Sequence, residues 1–297
     1  MTPLISAFHA RRRRWLALLG LTPLLQACSP LRLINATVSA STHTVRADQP
    51  YGSDPRQQAD VYLPARPVAG APMAVFFYGG SWSSGERADY RFVGEALASR
   101  GIVTVVADYR LSPQVRYPVF LQDSALAVRW ALDHATSLGA SPERLFVVGH
   151  SAGAYNAAML ALDPRWLTAV NMTPRQLAGW VGLAGPYDFL PIGNPDVQVA
   201  FEWPNTPFDS QPLFQARVHA KAAPRTLLLG ANSDSLVNPQ RNTLTLAQTL
   251  SALGTQVDVE LFDRVSHITL IGAMARPLRG LAPVLDRVSG FLNAPPA

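Results

Sequence analysis

Residues 145–160 read Leu-Phe-Val-Val-Gly-His-Ser-Ala-Gly-Ala-Tyr-Asn-Ala-Ala-Met-Leu. The apolar run 145–148 is typical of a buried strand, and the residues after Gly153 are good helix formers. A serine with a glycine two positions away on either side, between a strand and a helix, is typical of a sharp turn that exposes the serine hydroxyl. The stretch therefore predicts a strand, a tight turn at Ser151 and a helix.

The same alternation of strand and helix extends along most of the chain. Short β-rich runs occur at 61–63, 73–77, 102–106, 145–148, 180–183, 227–229 and 257–261. Between them lie segments of helical period, such as Leu121, Ala125, Val128 and Leu132. Continuous apolar strands that alternate with helices predict an α/β fold, with a mostly parallel sheet of about eight strands and helices on both faces.

The segment 188–222 breaks this alternation. Prolines are interleaved there with aromatic residues, which predicts a short irregular cap over one end of the sheet. With 297 residues, 48% hydrophobic and 15% charged, the chain is too apolar for a disordered protein or a coiled coil. We expect one domain over residues 51–297, with the cap inside it.

The N-terminal residues predict export. Four arginines (11–14) precede an uncharged apolar run (15–25), which is typical of a signal peptide, here over residues 1–27. Its removal lowers the formal net charge from +5 to about +1, so nucleic acid is not an expected partner. No other run approaches the ~20 apolar residues of a membrane span.

The apolar run ends in Leu-Gln-Ala-Cys, and Cys28 is the only cysteine. This resembles the lipobox of bacterial lipoproteins, in which the cysteine is acylated and anchors the protein to a membrane. The alternative is a buried free cysteine behind an ordinary secretory leader. Residues 28–50 are expected to form a lipid-anchored tether, with an edge strand near Thr42–Arg46. The inner-membrane retention signal of such lipoproteins is an aspartate directly after the cysteine, and this chain has Ser29 there. A periplasm-facing protein on the outer membrane is therefore favoured.

A serine hydroxyl becomes a strong nucleophile only beside a base, which a carboxylate orients. Two histidines follow Ser151. His267 comes after the run 257–261 and opens an apolar helix, whereas His219 lies in the cap. For the acid, Asp234 follows the run 227–229 and is favoured over Asp188 by strand order. The predicted triad is Ser151, His267 and Asp234.

Acyl transfer also needs N–H donors directed at the oxyanion. One is the backbone N–H of Ala152, directly after the nucleophile. The others are expected in the glycine loop, Tyr78-Gly79-Gly80-Ser81-Trp82, where paired glycines allow close backbone approach. We expect the N–H groups of Gly80 and Ser81 to act there.

The residues that could form an apolar substrate pocket are aromatic or aliphatic, and each could equally be packed in the core. They are Trp82, Tyr155, Tyr187, Phe189, Trp203, Leu236 and Ile268. No group of histidine, cysteine and acidic residues has the spacing of metal ligands. No metal or cofactor is therefore expected.

Together these segments resemble the α/β-hydrolase superfamily, in particular bacterial carboxylesterases related to hormone-sensitive-lipase-like esterases and to arylformamidases. The glycine loop resembles the family's H-G-G-x-W, residues 108–113 resemble its D-Y-R-L-x-P, and residues 149–153 form its nucleophile elbow. One departure is Tyr78, where the family has histidine; a different hydrogen bond would have to hold the loop closed.

The resemblance implies a serine carboxylester hydrolase with an α/β-hydrolase fold that acts on small-molecule esters, either short-acyl or aromatic. The alternative within enzymes is an arylformamidase, or another amidase or peptidase of the same fold. The alternative from another class is a catalytically inactive surface lipoprotein that binds partners.

Overall fold

A computed structural model describes residues 30–219 and 223–295 of the chain. The predicted signal peptide, Cys28 and residues 220–222 lie outside this range. The centre of the fold is one eight-stranded sheet in the order β1-β2-β4-β3-β5-β6-β7-β8. The strands are β1 (His43–Pro50), β2 (Gln58–Pro64), β3 (Ala71–Phe77), β4 (Val103–Ala107), β5 (Ala140–His150), β6 (Gly179–Leu183), β7 (Thr226–Ala231) and β8 (Val257–Phe262).

The sheet is mostly parallel, which confirms the predicted fold class. Only β1 with β2 and β2 with β4 run antiparallel. From β4 to β8 every neighbouring pair is parallel. The carboxyl ends of β3, β5, β7 and β8 therefore lie at one edge of the sheet, and the loops that follow them carry the candidate site.

Ten α-helices surround the sheet in the described residues. They are α1 (Pro30–Asn35), α2 (Arg91–Ala98), α3 (Val119–His134), α4 (Ala152–Leu162), α5 (Pro164–Thr168), α6 (Pro195–Ala200), α7 (Pro212–His219), α8 (Thr245–Ala252), α9 (His267–Gly272) and α10 (Val284–Asn293). Every residue of the central strand β3 is buried, so the sheet is covered on both faces there. Helices α2 and α10 pack together, as do α3 and α4.

Five 3₁₀ turns and one π turn complete the described residues. The 3₁₀ turns are Arg87–Tyr90, Thr136–Leu138, Pro174–Gln176, Phe208–Ser210 and Arg276–Leu278, and the π turn is Gln240–Leu244. Within the described part of the chain, no helix has the length and apolar content of a membrane span.

The segment expected to be a tether is folded onto the domain from Pro30 onward. The side chain of Asn35, the last residue of α1, donates a hydrogen bond to the carbonyl of Ala88 (2.9 Å) and accepts one from the backbone N–H of Phe92 (3.1 Å). Strand β1 adds an antiparallel edge to the sheet, and it is longer than the edge strand expected near Thr42–Arg46. The described part of this segment is therefore joined to the domain through Asn35 and β1.

The described part of the cap, residues 188–219, carries more regular structure than the sequence predicts. It contains α6, the turn Phe208–Ser210 and α7. The cap is joined to the main domain by a hydrogen bond from the backbone N–H of Tyr117 to the carbonyl of Ala200 (2.8 Å). The ring of Phe201 also packs edge-on against Trp82, with ring centroids 4.7 Å apart. The domain beneath therefore holds the C-terminal end of α6.

Candidate active site

Ser151 occupies a strained turn between β5 and α4. Its backbone has φ 54° and ψ −122°, a conformation that costs a non-glycine residue about 1–3 kcal/mol and is found mostly at functional sites. The backbone N–H of Ser151 donates to the carbonyl of Leu183 in β6 (2.9 Å). The turn is thus held to the neighbouring strand, and the hydroxyl stands at the carboxyl edge of the sheet.

The two glycines around Ser151 are required by close backbone contacts. A Cβ atom on Gly149 would lie 2.1 Å from the carbonyl oxygen of Gly153, and one on Gly153 would lie 2.0 Å from the carbonyl oxygen of Phe77. Both distances are far below van der Waals contact. Only glycine therefore allows the helix to start so close to the strand.

The side chains of Ser151, His267 and Asp234 form one hydrogen-bonded chain. His267 Nε2 lies 2.8 Å from Ser151 Oγ, and His267 Nδ1 lies 2.7 Å from Asp234 Oδ2. Because an ionised carboxylate only accepts, Nδ1 carries the hydrogen and Nε2 presents its lone pair to the serine hydroxyl. His267 is the first residue of α9, whose start is capped by the side chain of Ser266.

The loop after β7 fixes the carboxyl group of Asp234. Its Oδ1 accepts hydrogen bonds from the backbone N–H groups of Leu236 (2.9 Å) and Val237 (2.8 Å). Burial alone would raise the pKa of Asp234, but the hydrogen bonds from His267 and from these two N–H groups outweigh it and lower the pKa. The group therefore stays ionised and can orient the imidazole ring.

The rival residues lie in other contacts. Asp188 accepts a hydrogen bond from Arg241 Nε (2.9 Å), and its backbone N–H donates to the side chain of Asn242 (2.8 Å). His219 is the last residue of α7. It is Asp234 and His267 that the fold brings to Ser151.

The glycine loop passes directly beside the serine. A Cβ atom on Gly79 would lie 2.8 Å from Ser151 Cβ, and Gly80 has φ +127°, which side chains disfavour. Ser81 and Ala152 line the same cavity as Ser151 and His267. Gly80 lies one residue earlier and does not line it.

Tyr78 is held by a network that explains how tyrosine replaces histidine in this loop. Its hydroxyl donates to Asp108 Oδ1 (2.7 Å) and accepts from Arg56 Nη2 (2.7 Å). Its ring stacks between those of Tyr90 and Tyr109, with centroids 5.4 and 4.9 Å away. Burial raises the pKa of Tyr78 well above its ordinary value, so the hydroxyl keeps its proton and donates.

A cavity of about 360 Å³ opens onto Ser151 and His267. Two walls enclose it, one from the domain and one from the cap. Its other lining residues are Ser81, Trp82, Ala152, Pro186, Phe189, Ile192, Gly193, Asn194, Val197, Leu236 and Val237. None of these described lining residues carries an ionised side chain.

Only part of the expected pocket is found in this lining. Trp82, Phe189 and Leu236 line the cavity. Tyr155 is buried one layer deeper, edge-on against Trp82 (5.0 Å between centroids), and its hydroxyl donates to the carbonyl of Ser210 (2.8 Å). These contacts correct the expectation for Tyr155, which supports the pocket wall from behind.

Three further pocket residues are corrected as well. Tyr187 is a core residue that packs on Trp180 (6.1 Å between centroids). Trp203 lies against the core outside the cavity lining, and Ile268 is exposed, with 62% of its surface accessible. The sequence around a single aromatic or aliphatic residue does not show whether its side chain lines the cavity, packs in the core or faces solvent.

The cap residues Ile192, Gly193, Asn194 and Val197 line the cavity but were not anticipated from the sequence. Asn194 caps α6 through hydrogen bonds from the N–H groups of Asp196 and Val197. The sequence signal was the Asn-Pro pair that starts this helix. That pair predicts a helix start but not the wall it faces. In the described residues, no cluster of three or more histidine, cysteine or acidic side chains could hold a metal ion.

The fold and this site define an α/β hydrolase. A family model described as BD-FAE matches residues 59–250, and the chain belongs to that family. Among solved structures, a hyperthermophilic esterase from the archaeon Pyrobaculum calidifontis superposes with a TM-score of 0.72 at 20% identity, covering 89% of this chain and 91% of that one.

Two curated relatives indicate the range of related activities. An isoprenylcysteine alpha-carbonyl methylesterase of Arabidopsis thaliana is 28% identical over 90% of this chain and 66% of its own length. A kynurenine formamidase of Danio rerio is 24% identical over 84% of this chain and 86% of its own length. The chain spans 66% of the length of this methylesterase, and 53% and 58% of the length of two probable isoprenylcysteine alpha-carbonyl methylesterases from Arabidopsis thaliana and Oryza sativa.

Proposed function

We propose that this protein is a serine carboxylester hydrolase that works through an acyl-enzyme. The observation that carries the proposal is the hydrogen-bonded chain Asp234–His267–Ser151, with both links at 2.7–2.8 Å. A serine beside the lone pair of an oriented imidazole is the arrangement that acyl transfer requires.

In the proposed reaction, Ser151 Oγ attacks the ester carbonyl and its proton passes to His267 Nε2. Asp234 stabilises the imidazolium that forms. The N–H groups of Ala152, at the start of α4, and of Ser81 hold the oxyanion, since both residues line the cavity; each such donor is typically worth about 3–4 kcal/mol of the barrier. The imidazolium then protonates the leaving alcohol, and water activated by His267 releases the acid.

The cavity supports small esters with a short acyl chain or an aromatic group. Its volume is about 360 Å³ and its walls are mostly apolar. Because its described lining offers no aspartate, glutamate, lysine or arginine side chain, a charged substrate group that entered it would lose water without gaining an ionic partner, at a cost of several kcal/mol. Neutral esters therefore fit this site best.

An arylformamidase is the second candidate, supported by the match to a kynurenine formamidase along 86% of that relative. N-formylkynurenine carries both an ammonium and a carboxylate, and the neutral cavity disfavours them. We expect a higher kcat/KM for p-nitrophenyl butyrate than for N-formylkynurenine. The reverse order would select the amidase function.

The central test is hydrolysis of p-nitrophenyl acetate and butyrate by the purified protein. Ser151→Ala should abolish turnover and His267→Ala should nearly do so, while the melting temperature stays close to that of the wild type. A fluorophosphonate probe should label the wild type and not Ser151→Ala. An unlabelled wild type would favour the inactive binding lipoprotein instead.

We further propose that the protein is exported and acylated at Cys28, and that it faces the periplasm from the outer membrane. Metabolic labelling with a palmitate analogue should mark the wild type and Ser151→Ala equally and should miss Cys28→Ala. Label on Cys28→Ala, or none on the wild type, would contradict the anchor. Membrane fractionation of the same three proteins then identifies the membrane.

A further inference from the structure

His150, the residue before the nucleophile, is a second histidine at the site. Its side chain is buried, with 5% of the residue exposed. Its Nε2 atom lies 3.0 Å from the backbone carbonyl oxygen of His267. The two imidazole rings are neighbours, with centroids 5.0 Å apart and planes tilted by 46°.

The hydrogen-bond partner of His150 fixes its protonation. A carbonyl oxygen only accepts, so Nε2 carries the hydrogen and donates it. Nδ1 has no hydrogen-bond partner among the described residues and lies 3.3 Å from the position of a Cβ atom on Gly79. Burial, reinforced by the nearby His267, lowers the pKa of His150 to about 3, so the ring is neutral near neutral pH.

We propose that His150 is a positioning residue that holds the catalytic base in register with the nucleophile. The inference rests on the proposed function of the Ser151–His267 pair. Residues 150 and 151 make two hydrogen bonds to residue 267: Ser151 Oγ to the ring (2.8 Å) and His150 Nε2 to the backbone carbonyl (3.0 Å). Together they close a small cycle that fixes both the ring and the main chain of His267 relative to the serine.

The second link matters because His267 lies at the start of a short helix. Helix α9 has six residues, and among the described residues the other hydrogen bond from His267 to residues 150–151 is the reacting one. That bond breaks and forms during turnover, whereas the bond from His150 does not take part in proton transfer. A displacement of about 1 Å at such a site can cost roughly 10²-fold in rate.

The neutral state of His150 suits this role. His267 becomes positively charged when it takes the proton of Ser151, and a second cation with its ring centre 5.0 Å away would oppose that step. The neutral ring supplies a donor without adding charge. His150 is the last residue of β5, and its ring also lies beside the glycine loop at Gly79. One side chain on the nucleophile's strand therefore reaches both the loop and the base.

A matched pair of variants tests the donor. In His150→Gln the side-chain amide nitrogen can take the place of Nε2 and donate to the carbonyl of His267, whereas His150→Met has nearly the same length and no donor. With p-nitrophenyl butyrate, we expect kcat to fall about 10- to 100-fold in His150→Met with KM within about 3-fold. His150→Gln should retain kcat within about 3-fold. The rate of fluorophosphonate labelling of Ser151 should follow kcat in both.

The outcomes separate this inference from the proposed function. If His150→Met keeps the wild-type kcat, if both variants lose kcat equally, or if the loss is found in KM, the positioning role is wrong. Should His150→Met fail to fold, His150→Asn serves instead, because its amide is one carbon too short to reach; it should show the same loss of kcat. A wild type inactive toward esters and unlabelled by the probe refutes the proposed function and this inference together.

Discussion

Replacing Asp234 by asparagine should leave the shape of the site intact and remove most of its activity. In the wild type, Oδ1 accepts the N–H groups of Leu236 and Val237 at 2.9 and 2.8 Å, and Oδ2 accepts His267 Nδ1–H at 2.7 Å. Asparagine has one acceptor oxygen and one donor nitrogen in place of the two oxygens. One of the two sides must therefore lose its acceptor.

The two orientations of the amide have different consequences. With its oxygen on the backbone N–H groups, the amide nitrogen faces His267 Nδ1, so the ring's hydrogen moves to Nε2 and no lone pair faces Ser151. With the amide reversed, the ring keeps the productive tautomer, but two backbone donors lose their acceptor at about 1–3 kcal/mol each. The productive state is thus about 2–6 kcal/mol less favourable, which lowers the rate by roughly 1.5 to 4.5 powers of ten.

The assay is kcat for p-nitrophenyl butyrate, with the melting temperature recorded to show that the variant is folded. Asp188→Asn is the matched control, because Asp188 contacts Arg241 and not the triad. It should keep kcat within about 3-fold. If Asp234→Asn retains more than a tenth of the wild-type kcat, or Asp188→Asn loses as much, the role of Asp234 is refuted.

Three further predictions concern the stability of the site, the glycine loop and the cap wall of the cavity. The pKa of Asp234 is lowered, so its ionised carboxylate stabilises the fold above the ordinary aspartate pKa of about 4, and this stabilisation is lost as the pH falls through the lowered pKa. In urea unfolding, the difference in the free energy of unfolding between the wild type and Asp234→Asn should therefore become smaller below about pH 4. A difference that grows would contradict this. Tyr78→Phe keeps the stacked ring but removes the hydroxyl that bonds Asp108. It should lower the free energy of unfolding by about 0.5–1.5 kcal/mol and lower kcat more than it raises KM; an unchanged kcat would show that this bond does not position the loop. Phe189→Ala removes a ring from the cap wall and so enlarges the cavity. It should raise the ratio of kcat/KM for octanoate esters to kcat/KM for butyrate esters, whereas an unchanged ratio would show that Phe189 does not line the acyl pocket.

The strands of the sheet could be predicted because a local apolar pattern marks most of them. Each of the seven β-rich runs overlaps one of the strands β2 to β8, since a strand buried on both faces must be apolar throughout. Two elements were less visible. Strand β1 is polar and mostly exposed, as an edge strand can be, and α1 is short. The sequence predicts an edge strand only near Thr42–Arg46, and nothing in the composition of α1 separates it from a tether.

The triad could be predicted because its geometry follows from topology. Parallel strands place the loops after β5, β7 and β8 at one edge, and Ser151, Asp234 and His267 each occupy one of these loops. The cavity lining could not be read in this way. Whether Tyr155 or Phe189 faces the substrate depends on how the cap packs, and the two rings lie only 5.8 Å apart in adjacent layers.

The acid and one wall of the cavity are built from the same residues. The backbone N–H groups of Leu236 and Val237 hold Asp234 Oδ1, and both residues line the cavity. The opposite wall comes from the cap, through Phe189 and Ile192, which have no such link to the triad. A hydrolase built this way can change its substrate range through the cap while the loop after β7, which must keep Asp234 aimed at His267, stays fixed.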